Sequence, residues 1–243
     1  MKYQLHPDYL HLQPLIDTIE PHFQSASHIL HAARNELRVV AFSGEDYVIK
    51  SFKIPNTINR FAYRYLRASK AKRSYHYSLT LGVELCPQPI AYIEQFQHGL
   101  LARSYYISRH FNYDFTIRPL LDDAEFADRG VILQTFAEFT YQLHQKGILH
   151  RDYSPGNILI KKQADGYEFK IIDVNRMQFK RLNLQDRLTN FARLMVDDST
   201  MKIILDRYAE LMNKPLNEIL NAATHYRDQF ARRRELKNKL RGR

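Results

Sequence analysis

The sequence predicts an α+β chain of two lobes, a small, mainly β N-lobe with one helix and a mainly helical C-lobe. Three observations predict it. Strand-type alternation dominates residues 1–108, helical periodicity dominates the rest, and one short hairpin between 150 and 173 concentrates polar residues. We assign 1–108 to the N-lobe, the unpatterned Arg109-His110-Phe111-Asn112-Tyr113-Asp114 (109–114) to a hinge, and 115–243 to a C-lobe with a basic tail, all within a single domain over 1–243. A length of 243 residues suits one large or two-lobed domain, and 44% hydrophobic residues suffice for a packed core.

The elements follow in order. Residues 1 to about 26 read as a short preamble containing Pro14 and Pro21. Residues 28–42 and 47–52 alternate as strands, joined by the turn Ser43-Gly44-Glu45-Asp46. A helix is expected over 57–81, opening after Pro55-Asn56, and Pro87 and Pro89 then break the chain. Residues 90–94 and 104–108 read as strands. Residues 123–146 form an amphipathic helix in which Ile132, Phe136, Phe139 and Leu143 recur at core spacing, stopped by Gly147. Asn157-Ile158-Leu159-Ile160 reads as a strand, Ala164-Asp165-Gly166 as a turn, and Phe169-Lys170-Ile171-Ile172-Asp173 as the returning strand. Helices are expected over 185–195, 200–212 and 215 to about 240, with no internal repeat or low-complexity segment.

Net charge is +10, and its excess is local. Residues 59–73 carry Arg60, Arg64, Arg67, Lys70, Lys72 and Arg73 with no acid. The tail carries Arg232, Arg233, Arg234, Lys237, Lys239, Arg241 and Arg243 against Glu235. Such patches are either solvated basic faces or surfaces for an anionic partner: nucleic acid, acidic lipid or a phosphorylated sugar. Mean hydropathy of −0.48 indicates a soluble chain. No apolar run approaches the roughly 20 residues of a membrane span, and Met1-Lys2-Tyr3-Gln4-Leu5-His6-Pro7 lacks a signal core. The single cysteine, Cys86, suits a reducing compartment, so the expected location is cytoplasmic.

The chemistry concentrates in His150-Arg151-Asp152-Tyr153-Ser154-Pro155-Gly156-Asn157, which resembles the H-R-D-x-x-x-x-N catalytic loop of kinases at every fixed position. Phosphoryl transfer needs a group to receive the acceptor's proton, oxygen ligands for Mg²⁺ and a cation on the nucleotide phosphates. Asp152, then Asn157 and Asp173, then Lys50 in Tyr47-Val48-Ile49-Lys50 are the candidates for these roles. A hairpin that returns Asp173 beside Asn157 suits a hard cation. Where protein kinases place a Gly-rich phosphate loop, this chain has Ala32-Ala33-Arg34-Asn35-Glu36. Arg34 there either substitutes a charge for backbone contacts with nucleotide or belongs to a plain surface turn.

Longer strings extend the likeness. Ile49-Lys50-Ser51-Phe52-Lys53-Ile54-Pro55-Asn56-Thr57-Ile58-Asn59-Arg60, Ser69-Lys70-Ala71-Lys72-Arg73-Ser74-Tyr75, Pro89-Ile90-Ala91-Tyr92-Ile93-Glu94, Asp152-Tyr153-Ser154-Pro155-Gly156-Asn157 and Asp173-Val174-Asn175-Arg176-Met177 are similar to the lipopolysaccharide kinase family. The family comprises Kdo kinases and core heptose kinases, and the likeness, strongest to the Bacteroidetes forms, runs from about residue 5 to 230. The resemblance implies a protein-kinase-like fold, ATP as donor with Mg²⁺, and as acceptor a lipid-linked acidic sugar, Kdo–lipid A or core heptose. It also implies work at the cytoplasmic face of the inner membrane, where the basic patches would meet an anionic surface; no nucleic acid partner is expected.

The chain departs from the kinase pattern in several places. Residues 56–81 contain no Asp or Glu to orient Lys50, and His76 stands where the resemblance leads one to expect glutamate. The partner of Lys50 is therefore open between His76, Glu84 and none. Asp173-Val174-Asn175 replaces D-F-G, no A-P-E follows, and the segment after Asp173 is short, which disfavours a protein substrate. In that segment Lys180 and Arg181 are candidates for a sugar carboxylate or phosphate, or are simply solvated. The leading reading is an ATP-dependent sugar kinase. Its rivals are a Ser/Thr protein kinase, an antibiotic phosphotransferase, and a nucleotide-binding pseudokinase that scaffolds envelope assembly.

Overall fold

In the computed structural model, which describes residues 1–32, 35–52 and 67–240, the chain divides into two units. One comprises Met1–Asn112 with Asp173–Asn175, the other Tyr113–Ile172 with Arg176–Arg243. The predicted α+β class is the observed one.

The first unit is built on an antiparallel sheet of β1 (Lys2–Leu5), β2 (His28–Ala32), β3 (Asn35–Phe42), β4 (Glu45–Phe52), β5 (Pro89–Gln97) and β6 (Leu100–Arg109). Its order is β1-β5-β6-β4-β3-β2. The β3–β4 turn is Ser43-Gly44, with φ of 52° and 81°, the left-handed pair that matches the twist of a two-residue hairpin. Alternation then sorts side chains to two faces. Tyr47 and Ile49 of β4, with Tyr105 and Ile107 of β6, join Leu12, Leu15, Ile16, Ile19 and Phe23 in one core. On the opposite face Phe52, Tyr92 and Tyr106 meet Ala71 and Tyr75 of α3 (Lys70–Leu81).

Two expectations are corrected here. The supposed preamble is structural. β1 pairs with β5, and α1 (Gln13–Asp17) and α2 (Ile19–Ser25) cover the sheet with fully buried side chains. Pro14 and Pro21 fall in the first turns of these helices, where a missing N–H costs nothing. Burial of each large apolar side chain is worth about 1.5–3 kcal/mol, so this segment holds a major share of the unit's core. The expected helix over 57–81 is described from Lys70, because Ser69 caps it by accepting from Lys72 N at 3.0 Å; its earlier part lies outside the described residues.

The second unit begins with β7 (Phe115–Thr116) and α4 (Arg118–Asp122) and centres on α5 (Arg129–Gln145). Ile132, Phe136, Phe139 and Leu143 are buried along α5 as their spacing predicts. This helix starts later than expected, after Asp128 in a left-handed conformation. β9 (Ile158–Gln163) and β10 (Gly166–Ile171) form the hairpin in register Ile158↔Ile171, with β7 on its edge. β8 (Ile148–Leu149) pairs with β11 (Gln178–Phe179), and α6 (Leu184–Phe191), α7 (Asp198–Met212) and α8 (Leu216–Lys239) complete the unit. A capping box between Asn183 and Asp186 opens α6.

Candidate active site

The loop 150–157 is tied down by its own polar atoms. Gly147 ends α5 with φ +70°, and a Cβ there would stand 2.7 Å from Lys180 O. Only glycine allows that approach, in which Lys180 N donates to Gly147 O at 2.9 Å. The imidazole of His150 is buried. Its Nδ1 accepts from Asp152 N at 3.1 Å and its Nε2 lies 2.8 Å from Ile172 O. An N–H can only donate and a carbonyl only accept, so the ring is held with its proton on Nε2. Asn157 Nδ2 donates to Asp152 O at 2.8 Å, which turns its Oδ1 away from that bond. Tyr153, buried, hydrogen-bonds Thr140 of α5 at 2.7 Å and anchors the loop from below.

The hairpin carries the second carboxylate. Ile172 N donates to Asn157 O at 3.0 Å, closing the open end of β9–β10, and Asp173 follows directly. Asp173 has φ 59°, a left-handed conformation that Asp and Asn tolerate better than other side chains. Asn175 Nδ2 donates to its Oδ1. In the same unit Lys50, directly opposite Tyr106 in the β4–β6 register, places Nζ 2.9 Å from Asp173 Oδ1. Lys50 is buried at 9% exposure, so this is a partly desolvated ion pair.

The ion pair settles what the sequence left open about Lys50. Its carboxylate partner is Asp173, not His76 or Glu84. His76 turns its ring to Tyr75 and Tyr92, with centroids 5.4 and 5.8 Å away. Burial, then the charge of Lys72, holds its pKa below the usual histidine value. Glu84 is exposed and lies back over Gly82 at the end of α3. Arg34 lies outside the described residues.

Asp152 is 40% exposed, and Arg176 Nη1 stands 3.6 Å from its Oδ2. Of the two cations expected to meet an acceptor anion, Lys180 is engaged by Asp186 at 2.7 Å, while Arg181 is exposed. The sequence reading missed Arg193, whose charge acts on Asp152, and used Arg176 merely as part of a matching string. Nothing in the spacing of Arg193 marks it, because it lies on a different element, the turn Ala192–Leu194.

Comparison with known proteins gives the family. The model of the lipopolysaccharide kinase (Kdo/WaaP) family matches residues 81–213, more than half of the chain. Among solved structures, WaaP in complex with acyl carrier protein is similar with a TM-score of 0.61 at 16% identity, covering 97% of this chain and 98% of that one. A mutant of the PknI kinase domain of Mycobacterium tuberculosis gives a TM-score of 0.46 at 13% identity, covering 83% and 94%. A search of the curated proteins finds no match. The likeness to WaaP is one of fold; membership rests on the family match. The chain belongs to the lipopolysaccharide kinase (Kdo/WaaP) family, and with it to the ATP-dependent kinases that take a sugar hydroxyl as acceptor.

Proposed function

We propose that the chain transfers the γ-phosphoryl group of ATP to a hydroxyl of the lipopolysaccharide inner core, on Kdo or heptose of a lipid A precursor. Asp152 takes the hydroxyl proton as the acceptor oxygen bonds to phosphorus and ADP leaves. Lys50 holds the nucleotide phosphates by charge. Asn157 and Asp173 fit Mg²⁺: one amide and one carboxylate oxygen are the small protein share this ion takes, with phosphates and water supplying the rest. When bound, Mg²⁺ neutralises charge on the transferring group. His150 and Asn157 keep Asp152 in place through the backbone on either side of it.

The observation that supports this reading most is the loop itself, in which side chains of His150 and Asn157 bond the backbone N–H and C=O of Asp152. Holding the backbone of one carboxylate-bearing residue from both sides serves a reaction that depends on positioning. The test is incubation with Mg-ATP and a purified Kdo–lipid A precursor, and separately a core heptose acceptor, followed by mass measurement. A gain of one phosphate on either is expected, and no gain on both would sink the reading.

We further propose that the chain works at the inner membrane surface, held by charge. No helix among the described residues is long and apolar enough to cross a membrane. The end of α8 exposes Arg232, Arg233, Arg234, Lys237 and Lys239, with Leu236 and Leu240 exposed among them. Each basic residue near an anionic surface contributes about 1 kcal/mol. Truncation before Arg232 should weaken co-sedimentation with anionic vesicles at low salt; equal sedimentation of both forms would exclude the tail as the anchor.

A further inference from the structure

Charge around Asp152 does not balance. Its carboxylate meets Arg176, and Arg151 precedes it in the chain. Arg193, on the 3-10 turn Ala192–Leu194, interacts favourably with Asp152 and unfavourably with Arg151 and Arg176. Arg118 stands against the same loop, its Nη2 3.7 Å from where a Cβ on Gly156 would be. Arg176 and Arg193 thus share the one carboxylate of Asp152, the first by contact and the second by charge. Among the described residues, no salt bridge to Arg118, Arg151 or Arg193 forms.

Arg193 is the enclosed member of this pair. It is half-buried, with its guanidinium carbon 5.2 Å from the ring centroid of Phe230 on α8. Burial pulls its pKa down, Asp152 opposes that, and Arg151 and Arg176 add to it. A guanidinium does not shed its proton at ordinary pH, so the repulsion persists until a counter-charge arrives. The aromatic face that holds Arg193 also limits the freedom it would lose on binding. Arg176 is the opposite case, 55% exposed and long enough to exchange one anion for another.

We propose that Arg176 and Arg193 bind an anionic substituent of the acceptor, a carboxylate or a phosphate carried near the reacting hydroxyl, and so hold that hydroxyl against Asp152. The proposal rests on the reading of Asp152 as proton acceptor. A planar guanidinium meets either anion with two parallel hydrogen bonds. Moving Arg176 from Asp152 to the acceptor also uncovers the carboxylate that takes the proton.

The test uses the full chain, its R176Q, R193Q and R193K variants, and three acceptors: a Kdo–lipid A precursor, its carboxyl methyl ester, and the precursor stripped of its lipid A phosphates. On the intact acceptor, R176Q and R193Q should each raise acceptor KM about tenfold to a hundredfold, the worth of a hydrogen bond to a charged group. ATP KM should stay within about twofold, and R193K should recover part of the loss. On the acceptor that lacks the recognised anion, wild type and variants should converge, which names the carboxylate or the phosphate as its source. Equal losses on all three acceptors, or a matching rise in ATP KM, would overturn the proposal. Calorimetric titration of the intact precursor without nucleotide keeps the two readings apart. If wild type phosphorylates no acceptor but R176Q and R193Q still weaken binding, the base assignment fails and the arginine site stands. Should R193Q not fold, R176Q decides: the side chain is exposed, and unchanged acceptor binding in that variant overturns the proposal.

Discussion

Asp173 and Asp152 lie on one continuous stretch of chain, yet their surroundings differ in kind. Asp173 meets the buried Lys50 at 2.9 Å and an amide donor from Asn175. Asp152 meets an exposed arginine, Arg176, at a looser 3.6 Å, and its charge also acts on Arg193. The first setting pairs the carboxylate with a buried cation, so it changes when another cation competes for it. The second carries surplus positive charge, so it changes when an anion arrives. The difference matches the division of labour we propose, with donor nucleotide and metal handled at Asp173 and the acceptor at Asp152.

Substitution at each aspartate tests that division, and the largest effect is expected at Asp152. D152N should lower turnover by about 10²–10⁴, the range of general base catalysis, while calorimetry shows Mg-ATP affinity near wild type. A variant within a few-fold of the wild-type rate would remove Asp152 from the role. D173N should act on both quantities, weakening Mg-ATP binding and turnover together by about tenfold or more. Asparagine suits φ 59°, so its melting temperature should stay close to wild type. D173A adds a backbone cost of about 1–2 kcal/mol, and the difference between the two variants separates strain from charge. Unchanged Mg-ATP affinity in D173N would count against the metal role.

A smaller effect concerns stability. His144 is buried against Tyr208, its Nδ1 2.6 Å from the hydroxyl. Burial, then the charge of Arg187, pushes its pKa down to about 3. The ring is therefore neutral in the folded chain and takes up a proton on unfolding below about pH 6.5. Stability is full above that value and falls as pH drops from about 6.5 toward 3, by at most about 1.4 kcal/mol per pH unit from this group. Denaturant titrations across that window should show a flatter dependence in H144Q; an identical slope would mean that His144 is not held neutral. The smallest effect is expected at the residues that Lys50 does not use. H76Q and E84Q should leave rate, nucleotide affinity and the acid limb of the pH–rate profile unchanged within about twofold. A lost acid limb in H76Q would return His76 to Lys50.

Much of the fold was legible in the sequence. The β3–β4 and β9–β10 hairpins follow from alternation and turn residues, and α5 from its buried row of Ile132, Phe136, Phe139 and Leu143. The N-terminal segment was misread as a preamble, although Leu12, Leu15, Ile16, Ile19 and Phe23 recur at helical spacing. Pro14 and Pro21 obscured it, because proline reads as a breaker until its place in a first turn is known. The start of α3 was set by Ser69, a single capping side chain that hydrophobic pattern does not weigh.

The sequence by itself determined the loop 150–157. The side chains of His150 and Asn157 bond the backbone of Asp152 within a few residues, so their spacing encodes the geometry. The pairing of β9 with β10 is local in the same sense, and so was the prediction that Asp173 follows the return strand. Tertiary structure decided which charges those groups meet. Lys50 reaches Asp173 from β4, and Arg118, Arg176 and Arg193 come to the loop from separate elements. Hydrogen bonds within a loop depend on distances along the chain, which spacing records. Coulomb interactions depend on distances through space, and these exist once the elements have packed.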